Sequence, residues 1–312
     1  MSDFIFSLNA TVPIFLLILI GYVLQKLNFT DEIFITKANK INFTVTLPAL
    51  LFTDISQTDF KSFFDVNYVL FCAIVTSICF WGIWGLSKLL IKDKTIIGAF
   101  VQASFRGSAA VLGIAFIQSL YGNSGMAPLM IIGTVPLYNI YSVIVLTFES
   151  NNGSKKSMKD ALINICKNPI IIAIFLGLIS ALLGIRYPLI IRKTLSNVSA
   201  LASPLALICI GAGFKGRKAI AKIKPTIAAA TIKLIILPAI FMPVAVALGY
   251  SGSKLVALIV MLASPTTPSC YIMAQNMGND EVLTSSVVVF ATLFSSITLT
   301  IIVFILKYLN LI

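Results

Sequence analysis

The 312-residue sequence contains no histidine. This absence excludes Ser-His-Asp triads, imidazole ligands for metals and proton relays built on histidine. The five cysteines form no Cys-x-x-Cys pair, so neither a thiolate metal site nor a disulfide framework is indicated. The sequence therefore predicts that the protein holds no metal and no other cofactor.

Charged residues are also scarce, at 11% of the chain, whereas 58% of the residues are hydrophobic and the mean hydropathy is +1.00. A helix needs roughly 20 apolar residues to cross a bilayer. Ten segments meet this requirement: residues 8–27, 38–55, 66–91, 95–121, 126–148, 168–185, 194–214, 224–248, 253–277 and 283–309. The sequence thus predicts an all-α integral membrane protein with ten transmembrane helices, located in the cell membrane.

The formal net charge of +12 is distributed unevenly between the predicted loops. Most lysine and arginine residues fall in the loops after predicted helices 1, 3, 5 and 7. Cytoplasmic loops are enriched in these residues, so the pattern predicts that both termini lie outside. The lipid bilayer, and not nucleic acid, is the expected partner of a chain that has no soluble domain.

The two halves of the chain resemble each other at an offset of 156 residues, half of its length. The coinciding pairs are Pro13 and Pro169, Gly21 and Gly177, Pro48 and Pro204, Gly122 and Gly278, and Asn123 and Asn279. Each half has five predicted helices, an odd number, so the second half (151–312) enters the membrane inverted relative to the first (1–150). Inverted repeats place the solute site near the membrane midplane, between discontinuous helices. Predicted helices 4 and 9 are the equivalent pair here.

Predicted helix 9 contains the stretch SPTTPSCYIMAQNMGND, residues 264–280. Proline lacks a backbone donor and clashes with the preceding turn, so Pro265 and Pro268 predict a broken helix. The hydroxyl groups of Thr266 and Thr267 lie at this level. The half-helix after the break begins with free N–H groups, which favour an anion.

Predicted helix 4 carries Arg106 about midway along its length. A buried charge in a membrane is costly and usually marks a solute path or a buried pair. All eleven acidic residues fall in loops or at helix ends, so an anionic solute is a natural partner for the guanidinium. Three alternatives stay open: Arg106 extends to the membrane surface, pairs with Asp54, or caps the carbonyls of a broken helix.

Other polar residues in the predicted helices have two readings each. Lys233 lies about two turns into predicted helix 8, and we expect it to extend to the membrane surface. Asn42 precedes Pro48, and Asn139 follows Pro136. Both asparagines are candidates for the wall of the solute cavity, with hydrogen bonds between helices as the alternative.

Four stretches carry a resemblance to a known family: VTLPALLFTDI (45–55), QASFRGSAAVLGIAFIQSLYGNSG (102–125), SPTTPSCYIMAQNMGND (264–280) and VVVFATLFSSITLTIIVFIL (287–306). With them, the whole chain resembles the auxin efflux carrier family, in particular its malate permease-like bacterial members. That family is similar to bile-acid and sodium-proton transporters. The resemblance implies ten helices in two inverted five-helix repeats, in which helices 4 and 9 are broken and cross at the substrate site.

Carried over by position, the resemblance assigns six residues to the crossing: Arg106, Gly107, Ser108, Pro265, Thr266 and Thr267. The sequence departs from the family's pattern in two places. Relatives commonly have an asparagine near Ser108 and a proline soon after Gly113, where this chain has Ile114 and Ala115. Pro268 is an additional proline. These departures bear on which solute is bound more than on the fold.

The sequence therefore predicts a secondary transporter that moves small organic anions, such as malate-like or auxin-like carboxylates, by alternating access. Arg106 and the half-helix of predicted helix 9 are expected to bind the carboxylate, with Ser108, Thr266, Thr267 and Asn276 orienting it. A channel-like pore and a sodium-coupled symporter are the alternatives. An enzyme is not expected, because paired carboxylates at membrane depth are missing. The sequence leaves the oligomeric state open, and a homodimer is one state it allows.

Overall fold

The computed structural model describes residues 2–56, 65–109, 117, 126–150, 163, 165–214 and 216–312. Every regular element in these ranges is helical. The helices are α1 (Ser2–Lys26), α2 (Glu32–Ile41), α3 (Leu47–Ser56), α4 (Val66–Leu90), α5 (Ile97–Phe105), α6 (Ala127–Phe148), α7 (Pro169–Leu183), α8 (Leu189–Ala200), α9 (Ala202–Ala212), α10 (Gly216–Ala221), α11 (Ile223–Thr231), α12 (Leu237–Ala247), α13 (Ser253–Ala263), α14 (Pro268–Asn276) and α15 (Glu281–Tyr308).

Six helical stretches in the described ranges are long and apolar enough to cross a membrane. They are Val66–Leu90, Ala127–Phe148, Leu189–Ala212, Ile223–Ala247, Ser253–Asn276 and Glu281–Tyr308. The chain is therefore an all-helical integral membrane protein over the part that the structure describes. The count of ten stays a prediction, since most of the second half of predicted helix 4 lies outside the described residues, together with Gly122 and Asn123.

Two helical stretches contain a wide π-helical turn, at Asn42–Thr46 between α2 and α3 and at Ile232–Ile236 between α11 and α12. Each turn ends two residues before a proline, Pro48 or Pro238. A proline clashes with the carbonyl group four residues earlier, and in both cases that carbonyl lies inside the wide turn. The widened turn accommodates the proline while the helix continues.

Glycine residues bring two pairs of helices into close contact. Gly21 of α1 lies against the backbone carbonyl of Ile208 in α9, which a side chain would overlap. Gly177 of α7 packs in the same way against α3, where an added Cβ atom would lie 3.3 Å from the carbonyl oxygen of Phe52. Small residues allow such backbone approach between membrane helices. Gly21 and Gly177 are 156 residues apart in the chain, and so are their partners Phe52 and Ile208.

Helices α5 and α13 are buried along almost their whole length. Every residue of α5 is buried, and so is every residue from Leu255 to Ala263 in α13. Backbone that departs from a helix at membrane depth is tolerated only where protein or a cavity surrounds it. The interior position of α5 and α13 therefore explains how both can end in the middle of the molecule.

An ion pair fastens the start of α4 to the start of α13. The Asp65 carboxylate accepts a hydrogen bond from the backbone N–H of Tyr68, at 3.1 Å, and lies 2.6 Å from the Lys254 ammonium. The hydrogen bond from Lys254, helped by that from Tyr68, lowers the pKa of Asp65 below its ordinary value of 3.8. The pair thus stabilises the fold above pH 3.8, and this contribution is lost as the pH falls through the lowered pKa.

We expect Lys254→Met to lower the melting temperature of the purified protein at pH 7 by about 1–3 °C, because the pair is partly exposed to solvent. The difference from the unsubstituted protein should shrink as the pH falls below 3.8, because protonation of Asp65 removes the ion pair. Melting curves in detergent measure this, with Lys193→Met, at an exposed position of α8, as the control. A difference that stays constant from pH 7 to pH 3 would contradict the assignment.

Candidate functional site

The two interrupted helices meet at their breaks. Helix α5 ends at Phe105, and the backbone of Arg106 is extended. Helix α13 ends at Ala263, and the chain stays extended until α14 begins at Pro268. The Ser108 N–H donates a hydrogen bond to the Pro265 carbonyl oxygen at 3.0 Å. The break predicted from the prolines is thus present, and the two extended segments lie directly against each other.

Side chains from neighbouring helices satisfy the carbonyl groups that the breaks leave free. The Thr266 hydroxyl donates to the Ala103 carbonyl oxygen at 2.8 Å. The Tyr138 hydroxyl of α6 donates to the Met261 carbonyl oxygen, also at 2.8 Å. Such partners are obligatory, because an unpaired polar group in hydrocarbon costs several kcal/mol. Thr266 therefore supports the crossing and does not face the solute cavity described below.

Lys233 completes this set of partners, contrary to the expectation that it extends to the membrane surface. Its side chain is fully buried, and its ammonium group donates to the carbonyl oxygens of Met261, at 2.8 Å, and Phe105, at 3.3 Å. The π-helical turn Ile232–Ile236 carries it in the wall of the crossing. The sequence did not predict this role, because a lysine about two turns into a helix can extend either to the membrane surface or into the protein interior.

Arg106 is also buried, with 4% of its surface exposed, which excludes extension to the membrane surface. Its guanidinium donates to the side-chain amide oxygen of Asn139 at 2.7 Å, to the Met273 sulfur at 2.8 Å and to the Ser142 hydroxyl at 3.4 Å. All three partners are uncharged, and a thioether is a weak acceptor. A buried guanidinium held by neutral groups is incompletely compensated.

A cavity of about 70 Å³ lies beside Arg106, between the crossing and helices α3 and α9. Its wall contains five of the residues singled out in the sequence: Arg106, Gly107, Ser108, Asn139 and Thr267. The wall also includes Ser269, in the first turn of α14, and Asp54 of α3. Asp54, which the sequence offered as one possible partner of Arg106, thus lines the same cavity as the guanidinium.

Three other predicted site residues lie beside the cavity wall, in hydrogen bonds between segments. The Asn42 amide donates to the Ala202 carbonyl oxygen at 2.9 Å. The Asn276 amide donates to the carbonyl oxygens of Ile272, at 2.8 Å, and Asn39, at 3.3 Å. The Pro265 carbonyl oxygen accepts the hydrogen bond from the Ser108 N–H described above. For Asn42, this contact is the hydrogen bond between helices that the sequence left open as the alternative to a cavity role. Asn276 bonds both within α14 and to α2.

A polar layer connects α2 to α14 on the far side of this cavity. The Asn39 amide donates to the Tyr271 hydroxyl at 3.0 Å and to the side-chain amide oxygen of Gln275. Tyr271 and Gln275 line a second cavity of about 230 Å³, whereas Ile272 of the same helix lines the first. The first turns of α2 and α15 contribute Glu32 and Glu281 to the second cavity. Helix α14 therefore separates two spaces with different linings.

The described residues contain no group of three or more Cys, Asp or Glu side chains that could hold a metal ion. Cys270, in the first turn of α14, is buried, and its sulfur lies 3.5 Å from the Thr267 hydroxyl oxygen. The polar groups of the site are instead a guanidinium, hydroxyls, an amide and one carboxylate, that of Asp54. These groups suit the recognition of an anionic organic molecule through hydrogen bonds.

Comparison with known proteins gives a family for the whole chain. The sequence model of the family described as membrane transport protein matches residues 6–303. This range includes both breaks and every residue of the candidate site. The match therefore concerns the fold that carries the site and not an isolated motif.

Individual relatives extend over most of the chain. The "Uncharacterized transporter YfdV" of Escherichia coli K12 is 26% identical over 88% of this chain and 89% of its own length. The "Putative malonate transporter" of Rhizobium meliloti is 24% identical over 93% of this chain and 92% of its own length. An "Uncharacterized transporter" of Methanothermobacter thermautotrophicus is 23% identical over 95% and 97%. The similarity to proteins named transporters thus covers nearly the full length of each.

Gly107 lies where the crossing has no room for a side chain. An added Cβ atom would overlap the Ser264 hydroxyl and would lie 2.8 Å from the Lys233 nitrogen. We expect Gly107→Ala to destabilise the protein by about 1–3 kcal/mol, the usual cost of overpacking, because it displaces the ammonium from its carbonyl partners. The measurement is the melting temperature in detergent.

Gly82→Ala is the matched control, because an added Cβ atom on Gly82 in α4 meets no other atom within 4 Å. Alanine is favoured over glycine in a helix by about 1 kcal/mol, so this variant should be at least as stable as the unsubstituted protein. Equal melting temperatures for the two variants would mean that the crossing tolerates a side chain at Gly107.

Proposed function

Because the chain belongs to the membrane transport protein family, the auxin efflux carriers, we propose that it is a secondary transporter of small organic anions. In this proposal the solute binds in the cavity beside Arg106 and crosses the cell membrane by alternating access. The observation that carries the proposal is the buried guanidinium of Arg106, whose hydrogen-bond partners among the described residues are all uncharged.

The charges around the cavity support an anionic solute. The first turn of α14 faces the cavity through Ser269, and the amino-terminal end of a helix carries about half a positive charge. Arg106 adds a full charge on the same wall. A carboxylate can accept hydrogen bonds from both, and it matches a guanidinium in bidentate geometry.

The size of the cavity and its acidic residue restrict the solute. A volume of about 70 Å³ holds roughly five water-sized groups, which suits a small organic acid. Asp54 lines the same cavity and repels a second negative charge near it, so one carboxylate of the solute belongs at Arg106. Malonate is a suitable probe, since one relative carries the name "Putative malonate transporter".

The proposed architecture is that of two inverted five-helix repeats, 1–150 and 151–312, which together supply ten membrane helices with both termini outside. Two structural pairs support it. The contacts of Gly21 with Ile208 and of Gly177 with Phe52 correspond at the predicted offset. Leu201, where α8 gives way to α9, corresponds by the same offset to a residue in the π-helical turn Asn42–Thr46.

The two cavities on either side of the polar layer support alternating access. The layer joins α2 to α14 through Asn39, Tyr271 and Gln275. We assign α1, α3, α7 and α9 to a scaffold, because they form the close glycine contacts. The crossing then moves against this scaffold, and the polar layer must open for the solute to pass from the first cavity to the second.

We expect malonate to raise the melting temperature of the purified protein, since a ligand that binds the folded state stabilises it. Arg106→Ala should remove this shift, and Arg106→Lys should weaken it, because lysine keeps the charge but not the bidentate geometry. Arg192→Ala, at an exposed position of α8, is the control and should keep the full shift. A full malonate shift in Arg106→Ala would show that the guanidinium does not bind the solute.

Cross-linking tests the movement. In a chain whose native cysteines are replaced by alanine, Asn39→Cys and Gln275→Cys can be bridged by a short bifunctional thiol reagent. We expect the bridge to stop malonate uptake into proteoliposomes and its cleavage by a reducing agent to restore uptake. Each single-cysteine variant, treated in the same way, is the control. Unchanged uptake in the bridged protein would mean that α2 and α14 do not separate during transport.

A further inference from the structure

The carbonyl ends of two helices converge on one buried ammonium group. Lys233 donates to the carbonyl oxygens of Met261, two residues before the end of α13, and of Phe105, the last residue of α5. The carboxyl-terminal end of a helix carries about half a negative charge. Two such ends amount to about one negative charge, which a single ammonium group balances.

An aromatic ring also lies beside the Lys233 amine. The face of the Tyr138 ring lies 5.6 Å from the ammonium nitrogen, close enough for a cation–π interaction. The Tyr138 hydroxyl donates to the same Met261 carbonyl group as Lys233 does, which fixes the ring in place. The crossing is thus constructed around a positive charge at this point, and Arg106 is held by a different set of partners.

The same place offers oxygen ligands that suit a small cation. Main-chain carbonyl oxygens and hydroxyl groups are the ligands of hard cations such as Na⁺. The carbonyl oxygens of Met261 and Phe105 already converge there. The Ser264 hydroxyl is fully buried without a hydrogen-bond partner in the described structure, and it lies against the same side of Gly107 as the ammonium group.

We propose that Lys233 is a tethered cation that replaces a bound sodium ion at the crossing, so that the fold and its solute site need no Na⁺. The ammonium holds the ends of α5 and α13 in the positions that shape the cavity. Lys233 is therefore a positioning residue. This assignment addresses the sodium-coupled alternative, because the carbonyl groups that could coordinate Na⁺ already accept hydrogen bonds from Lys233.

The consequence for solute binding rests on the proposed function, whereas the consequence for stability does not. Melting temperatures without solute, in NaCl, KCl or choline chloride at equal ionic strength, test the stability directly. We expect the unsubstituted protein to melt at the same temperature in all three salts. A higher melting temperature in NaCl alone would overturn the proposal, whatever the solute is.

Removal of the amine provides the second measurement. We expect Lys233→Ala to melt about 5 °C lower than the unsubstituted protein in choline chloride, and NaCl to restore part of the loss by filling the vacated site. Lys233→Met should melt lower in every salt, because its side chain fills the space without charge. Lys193→Ala, at an exposed position of α8, is the control and should respond to none of the salts.

Two outcomes would contradict the role of Lys233: a Lys233→Ala variant as stable as the unsubstituted protein in choline chloride, or equal stability of Lys233→Ala in all three salts. If that variant does not fold, the salt series on the unsubstituted protein still decides the proposal.

Malonate shifts measured in choline chloride and in NaCl then test the solute site. Equal shifts support a Na⁺-independent site, a shift in NaCl alone contradicts it, and the absence of both shifts argues against the proposed function only.

Discussion

The fold depends on one constraint: a backbone group freed from a helix inside the membrane must find a partner within the protein. The crossing meets this requirement with contacts from several directions. Backbone pairs with backbone between Ser108 and Pro265, and a hydroxyl group caps α5 through Thr266. Lys233 serves both α5 and α13. Because these partners come from distant parts of the chain, the broken helices must occupy the centre of the molecule, where α5 and α13 are found.

The two buried cations of the crossing differ in what surrounds them. Lys233 lies at carbonyl ends of helices, which carry negative partial charge, so its own charge is balanced by the fold. Arg106 lies in the wall of a cavity that the first turn of α14 also faces, and its partners are neutral. The protein thus completes one cation site by itself and leaves the other open. This difference is the physical basis for assigning a structural role to the lysine and solute binding to the arginine.

A large part of the site could be predicted from the sequence. Pro265 and Pro268 act on their own local backbone, so the break in predicted helix 9 follows from covalent geometry. Arg106 could be singled out because a charge within an apolar segment is expensive wherever the segment packs. The direction of a long side chain is different. For Lys233 the membrane surface and the protein interior were both within reach, and the choice depends on carbonyl groups that belong to α5 and α13.

The sequence by itself determined that the protein lies in a membrane, to which family it belongs, and where predicted helix 9 breaks, since these properties depend on composition and on residues adjacent in the chain. Tertiary structure alone decided that Asp54 shares a cavity with Arg106, that Asn42 and Asn276 bond to backbone carbonyls, and that Lys233 joins two helix ends. The physical reason is that a hydrogen bond or a charge contact acts over a few ångströms. Which groups come within that distance depends on how helices far apart in the chain pack together.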